Sequence, residues 1–226
     1  MEAVTVVSEK PAYAGIYNRY IKRTLDIFIT GIALLVLWPF YFFIAAAIVL
    51  EDGFPVFYRA ERGGYQNRSF HICKFRSMIK NADKIGGGTT ALHDPRITKV
   101  GNFLRKTKLD EIPQLIQVFR GKMSLIGPRP ELMKYVNQYV GEEKQILEVR
   151  PGITDYSSVE FINLDEIVGG ENADEMYEKY VLKKKNELRI KYAKTVSFKT
   201  DVKLLFLTVW KVLEKAFGFV VKKEHR

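Results

Sequence analysis

The sequence predicts an α+β fold: a single helix-rich domain with one β-hairpin, an N-terminal re-entrant membrane helix-break-helix and a C-terminal amphipathic helix. Three observations carry that reading. Residues 27–50 hold no charged side chain, a run longer than the roughly 20 apolar residues that cross a bilayer core. Residues 54–58 and 70–75 are short, apolar and β-prone, with Gly63-Gly64 and Asn67-Arg68-Ser69 between them, the pattern of a hairpin with a long loop. Much of the chain beyond the hairpin has helical spacing punctuated by Gly and Pro. At 226 residues and 47% hydrophobic, the chain fits one domain with a core.

The first 15 residues read as irregular, with Pro11 and Gly15 as breakers. Arg19, Lys22 and Arg23 then lead into the uncharged run. That run is too long for the apolar part of a signal peptide, and no small-residue cleavage site comes after it. A buried helix of a soluble core is the alternative. Trp38-Pro39 stands at its centre. Proline removes a backbone donor and clashes with the preceding turn, so the helix is expected to bend there. A kinked spanning helix and a hairpin returning to its own face both satisfy this. Arg59 and Arg62 come after Glu51-Asp52, and acidic residues count little in orientation. Both flanks therefore read as cytoplasmic, which favours re-entry.

In the second hairpin strand, Lys74 and Arg76 flank Phe75 and are expected to share one face. Residues 81–94, with Gly86-Gly87-Gly88-Thr89-Thr90 at their centre, read as a flexible lid or linker. No Lys-Ser/Thr stands at P-loop spacing, which excludes a Walker-type site. Val100, Phe103 and Leu104 give one side of a short helix ending near Arg105. Pro113 starts the next, where its missing N–H costs nothing, and Gly121 stops it. Residues 131–148 read as a helix, 149–154 as a turn, and 174–194 as a charged, solvated helix. Residues 198–217 place Val202, Leu205, Phe206, Val209, Val212, Leu213 and Ala216 on one face and Lys199, Lys203, Lys211, Glu214 and Lys215 opposite. That suits a membrane interface and equally a helix packed on the core.

Charge narrows the class. The net charge is +10, and residues 178–226 carry 14 Lys/Arg against 5 Asp/Glu. A basic end can meet nucleic acid or an anionic membrane surface; the uncharged run argues against nucleic acid. Cys73 is the single cysteine and His71, His93 and His225 are scattered, so neither an internal disulfide nor a zinc site is indicated.

The chemistry concentrates in Leu104-Arg105-Lys106-Thr107-Lys108-Leu109-Asp110-Glu111-Ile112-Pro113-Gln114-Leu115 and Gly121-Lys122-Met123-Ser124-Leu125-Ile126-Gly127-Pro128-Arg129-Pro130. Adjacent carboxylates repel unless cations sit nearby, and Arg105, Lys106, Lys108 and Arg129 supply that charge. At a helix start, Asp110 and Glu111 would feel its free N–H groups. Prolines on both sides stiffen Arg129 for gripping an anion. Phosphoryl transfer needs this combination: cations to neutralise phosphate oxygens, and a carboxylate to hold a metal or attack phosphorus. An ordinary solvated helix end with a proline turn is the plain alternative.

These two segments resemble the bacterial sugar transferase family, the small monotopic polyprenyl-phosphate phosphoglycosyl transferases. Phe70-His71-Ile72-Cys73-Lys74-Phe75-Arg76-Ser77-Met78, Asp94-Pro95-Arg96-Ile97-Thr98 and Arg150-Pro151-Gly152-Ile153-Thr154 add to the likeness, which covers about residues 20–215. The resemblance implies transfer of a phosphosugar from a UDP-sugar to undecaprenyl phosphate, with release of UMP and a requirement for Mg2+. It implies Asp110 as nucleophile, Glu111 beside it in organising the metal and phosphates, and Lys74, Arg76, Arg105 and Arg129 as phosphate or substrate contacts. It implies an irregular N-terminus (1–18), a re-entrant anchor broken at Pro39 (19–52) and a catalytic domain (53–226) on the cytoplasmic face of a bacterial inner membrane. Membrane lipid is then a partner and nucleic acid is not; a homo-oligomer and downstream glycosyltransferases stay open. The chain departs from the family pattern at Trp38-Pro39, where Ser-Pro is usual, at Gln117-Val118, where Asn-Val is common, and at Asp155, where Gly is common. The rival from another class is a non-catalytic membrane-anchored scaffold that binds anionic lipid through its basic C-terminal region.

Overall fold

The structure is a computed structural model that describes residues 11–85, 87–91, 93–169 and 172–224, with side chains to Lys215. Residues 1–10, and Ala216 of the expected apolar face, lie outside what is described. A short 3-10 turn, Ala12–Ala14, precedes a 36-residue helix, Tyr17–Asp52. Its first turn, Tyr17–Ile21, is π-helical, and the remainder, α1 (Lys22–Asp52), is continuous α-helix. The expected interruption at Pro39 is therefore not an interruption of secondary structure. A helical proline deletes one hydrogen bond and crowds one carbonyl, which bends a helix without ending it.

Helix α1 is apolar all round its middle, and Leu35, Trp38, Phe42 and Phe43 are each about two-thirds exposed or more. Its two ends are fastened to the rest of the chain. Arg23 donates to the carbonyls of Val118 and Phe119, and Asp26 accepts from the Leu125 N–H. Lys22 is buried in an ion pair with Asp201. Past Pro39, the Tyr41 hydroxyl donates to the Ile112 carbonyl, and Ile48 packs with Phe75 and Leu104. Glu51 accepts from the backbone N–H groups of Lys99 and Val100 at 2.7 and 2.9 Å, filling free donors of the next long helix.

The hairpin is β1 (Phe57–Arg62) and β2 (Phe70–Phe75), antiparallel, with Phe57 opposite Phe75. Its first strand starts three residues later than expected. Pro55 cannot donate to a ladder, and Gly53 turns the chain at φ 67°. The 81–94 segment contains α2 (Ala82–Ile85). It is also tied down: Gly88 and Thr89 donate backbone N–H to the Asp174 carboxylate, and Arg96 donates to the Gly87 carbonyl. Helix α3 (Lys99–Thr107), which Thr98 caps, and α4 (Gln114–Phe119), which starts directly after Pro113, are the two short helices expected. Gln117 accepts from the Cys73 N–H at 2.9 Å and donates to the His71 carbonyl. The longer side chain at this position thus binds α4 to the edge of β2.

Strands β3 (Ser124–Ile126) and β4 (Gly152–Thr154) form a small parallel sheet in place of the expected turn. Two glycines allow it. A Cβ on Gly152 would sit 2.1 Å from the Gly127 nitrogen, and one on Gly127 would sit 2.3 Å from the Arg150 oxygen. The expected 131–148 helix is instead α5 (Met133–Val136) and a 3-10 stretch, Gly141–Glu148. Gly141 at φ 53° breaks the run, and Tyr135, Val136, Tyr139 and Ile146 are drawn into the core.

Helices α6 (Tyr156–Glu160), α7 (Leu164–Val168) and α8 (Ala173–Met176) lead through a π turn, Tyr177–Val181, into α9 (Leu182–Thr195). The charge pattern makes this last segment a solvated helix, and the structure corrects that. Helix α9 buries Lys185, Asn186, Leu188, Arg189, Tyr192 and Ala193, because Arg189 pairs with Glu131 and Tyr192 bonds Asp201. Helix α10 (Phe198–Glu224) buries Asp201 and Leu204 and bonds Thr208 to Thr154. Leu205, Phe206, Val209 and Leu213 of the expected apolar face are exposed, together with Trp210.

Candidate active site

The turn that carries the two carboxylates is set by Lys108. It closes α3 in the left-handed region, φ 60°, where non-glycine residues are uncommon. The chain then enters a 3-10 turn, Leu109–Glu111, which delivers Asp110 and Glu111 side by side, 5% and 9% exposed. Lys74 from β2 reaches Glu111 Oε1 at 2.8 Å. Arg129 lies just past β3; it donates to Glu111 Oε2 at 3.0 Å, to the Ile153 carbonyl at 2.7 Å, and to Glu111 Oε1. Asp155 fixes the Arg129 backbone by accepting its N–H at 3.2 Å, while also capping α6 through the Ser158 N–H.

The two carboxylates end in different electrostatic states. Burial raises the Glu111 carboxyl, but Arg129 and then Lys74 outweigh it and hold the group well below the usual range. Asp110 goes the other way. Burial pushes it up, Lys74 opposes, and the neighbouring Glu111 charge pushes it further. Its Oδ1 is buried without a hydrogen-bond partner among the described residues. Such an atom is costly unless something meets it during function. Both carboxylates line a cleft of about 2020 Å³, which Lys74, Arg105, Lys108 and Arg129 line as well. Small-molecule sites are usually about 300–1,000 Å³, so this cleft has room for more than one substrate.

All six catalytic and substrate-contact residues expected from the sequence therefore line this cleft: Lys74, Arg76, Arg105, Asp110, Glu111 and Arg129. Arg76 is only half committed: its Nη1 is buried without a hydrogen-bond partner among the described residues, while its Nη2 is engaged at the foot of α1. It donates to the carbonyls of Asp52 and Gly53 at 3.0 and 2.6 Å and pairs with the Asp52 carboxylate. Arg76 thus ties the foot of α1 to the hairpin. Sequence reasoning names Lys108 only as a nearby charge, and Asp155 and Gln117 only as departures from the family pattern; in the structure each positions part of the site.

The sequence profile of the family described as bacterial sugar transferase matches residues 17–215. The chain belongs to the bacterial sugar transferase family. Its relatives include UDP-glucose:undecaprenyl-phosphate glucose-1-phosphate transferase of Escherichia coli (strain K12), 38% identical over 213 residues, 91% of this chain and 41% of that protein. A second is UDP-N-acetylgalactosamine-undecaprenyl-phosphate N-acetylgalactosaminephosphotransferase of Aeromonas hydrophila, 36% identical over 90% of this chain and 45% of its own length. A third, the uncharacterized sugar transferase EpsL of Bacillus subtilis (strain 168), is 37% identical, with 76% of each chain covered. This sugar transferase spans about two-fifths of the length of the two glucose-1-phosphate transferases it matches in Escherichia coli and Klebsiella pneumoniae. The family match takes in both carboxylates, the four cations that stand around them and the whole of α1.

Proposed function

We propose that the chain is a phosphoglycosyl transferase, moving a phosphosugar from a UDP-sugar to undecaprenyl phosphate and releasing UMP. The observation that carries the reading is Asp110: a buried carboxylate with a bare oxygen on a cleft wall, ringed by Lys74, Arg105, Lys108 and Arg129. The names of the relatives supply donor and acceptor classes. A lipid-binding scaffold has no use for a buried, unpartnered carboxylate inside a cleft.

The chemistry divides into two displacements. Ionised Asp110 attacks the sugar-bearing phosphorus; the bond to the UMP oxygen breaks, and UMP leaves with that electron pair. An oxygen of undecaprenyl phosphate then attacks the same phosphorus, and the Asp110 carboxylate leaves. An aspartate needs no base to do this. It needs relief from the repulsion of the diphosphate, which the fixed cations provide. Glu111 accepts from both Lys74 and Arg129 and so holds both cations in place.

Among the described residues no cluster of three or more His, Cys, Asp or Glu could cage a metal by itself. Magnesium does not need one: it commonly binds one or two carboxylates plus substrate phosphates and water. The bare Asp110 oxygen and the remaining lone pair on Glu111 Oε2 fit that donor set. Bound there, magnesium would neutralise charge developing on the diphosphate.

The anchor is read as a re-entrant hairpin on the cytoplasmic face of the inner membrane. What supports this is that residues on both sides of Pro39 bond the same few elements. Arg23 reaches the end of α4, Tyr41 reaches the residue before Pro113, and Glu51 caps α3. The exposed apolar face of α10 suits the same interface. The reaction is tested by offering UDP-sugars with undecaprenyl phosphate and magnesium and assaying the nucleotide released. UMP, abolished by EDTA, is expected; release of UDP would mean ordinary glycosyl transfer and overturn the proposal.

A further inference from the structure

We propose that Lys185 is a donor-recognition residue that hydrogen-bonds an oxygen substituent of the transferred sugar, an assignment that rests on the phosphosugar-transfer reading. Lys185 lies on α9, is 7% exposed, and lines the same cleft as Arg129. Among the described residues it forms no hydrogen bond and no ion pair. The acids around it are already used. Glu131 Oε2 accepts from Arg189 at 2.9 Å and from the Tyr177 hydroxyl, and its Oε1 accepts from the Leu132 N–H. Asp155 is filled by Ser157, Ser158 and the Arg129 N–H.

What the Lys185 ammonium has instead are two ring faces, with Tyr177 at 4.9 Å and Phe161 at 6.0 Å from its nitrogen. Ring faces offset part of the desolvation. They do not satisfy three N–H donors, and the nitrogen stands on a cleft wall in a residue only 7% exposed. Burial and then Arg189 bring its pKa down to about 7. An acceptor on a bound ligand can reach it through the cleft.

Position selects the sugar. The reacting phosphate belongs between Asp110 and the cations Arg129 and Lys74. Lys185 stands on the side of Arg129 occupied by Glu131 and Tyr177, close enough for Arg129 and Asp155 to act on it electrostatically. The sugar is bonded directly to the reacting phosphate, whereas ribose and uracil are one phosphate further away. A sugar hydroxyl or acyl oxygen is a neutral acceptor, suited to an amine whose charged form burial disfavours.

The test uses the purified full chain and reads equilibrium binding separately from UMP release. The probes are UDP-glucose, UDP-galactose, UDP-N-acetylglucosamine and UDP-N-acetylgalactosamine, with UMP as the probe lacking sugar. Lys185→Met keeps the stem and removes the donors. It should weaken binding of the preferred UDP-sugar about tenfold, the scale of a hydrogen bond lost at a buried site, with UMP affinity held within about twofold. A parallel loss for UMP, or no loss for the UDP-sugar, overturns the assignment. Should that variant not fold, Lys185→Arg decides: a changed ranking of the four sugars at constant UMP affinity supports it, and an unchanged ranking overturns it. A chain whose UDP-sugar binding depends on Lys185 but which releases no UMP keeps this inference and loses the proposed reaction. A chain that binds none of the four loses both.

Discussion

Two neighbouring carboxylates at this site are shifted in opposite directions. Glu111 is an anion at any working pH, while burial first, and the Glu111 charge after it, hold Asp110 above the ordinary aspartate range. A raised pKa means that the attacking, ionised form is lost as pH falls through that raised value. The acid limb of kcat/KM should therefore lie above the value of about 3.9 for a free aspartate. Glu111→Gln removes a repelling charge and releases Lys74 and Arg129 to act on Asp110, so the limb of its residual activity should move to lower pH; an upward move contradicts the assignment. Asp110→Asn should lose roughly four orders of magnitude or more in rate, the scale seen when a nucleophile is removed. Labelled UDP-sugar without lipid should leave a phosphosugar on Asp110 in the wild-type chain, visible by mass spectrometry, and an adduct on another residue would relocate the nucleophile. The residues of this cluster are readable because acid, base and proline stand close together in sequence. Arg76 lines the cleft with Lys74 as strand alternation leads one to expect, but its bonds to Asp52 and Gly53 depend on the distant foot of α1 and are not legible in the sequence. Lys185 is unreadable, since the rings that enclose it, Tyr177 and Phe161, come from outside its own helix.

At the level of elements, the hairpin, α3, α4 and the long helices arise from local pattern, whereas β3 and β4 do not. Strands of three residues have too few positions to show a period. Their signal is the Gly127 and Gly152 pair, which reads as turn chemistry until the two backbones are seen in contact. The consequence is measurable. Gly152→Ala forces a methyl into backbone at 2.1 Å, so the β3–β4 contact must open. Overpacking of this kind costs about 1–3 kcal/mol or more. A thermal unfolding midpoint several degrees lower is expected, with UMP release reduced further because Arg129 hangs from the same contact. An unchanged midpoint would show that the contact yields freely. The charged α9 misleads in the opposite way: Lys, Arg and Asn look solvated in sequence, and only the distant Glu131, Glu143 and Asp201 give this helix reasons to be inside.

For the whole molecule, the uncharged run and Pro39 announce a membrane segment, but sequence leaves open whether it crosses. The bonds from both limbs of α1 to one body of structure argue for return to the same side. Cysteines placed singly at Ala14 and Gln66, in a Cys73→Ser background, should be labelled from the same side of sealed vesicles; labelling from opposite sides would refute the hairpin. The pairing of Lys22 with Asp201 has a bearing on how the protein is made. The two residues are 179 positions apart. At a synthesis rate of about 5–20 residues per second, Lys22 leaves the ribosome roughly 10–40 s before its counter-ion exists. Until then the anchor carries a cation whose native place is a closed, water-poor one, and a lone charge there costs several kcal/mol. The N-terminal helix can reach the bilayer early, but it takes up its final seat only when the last helix arrives. A chain cut short before Asp201 would remain membrane-bound and unfinished, with the phosphate site left without the helix that backs it.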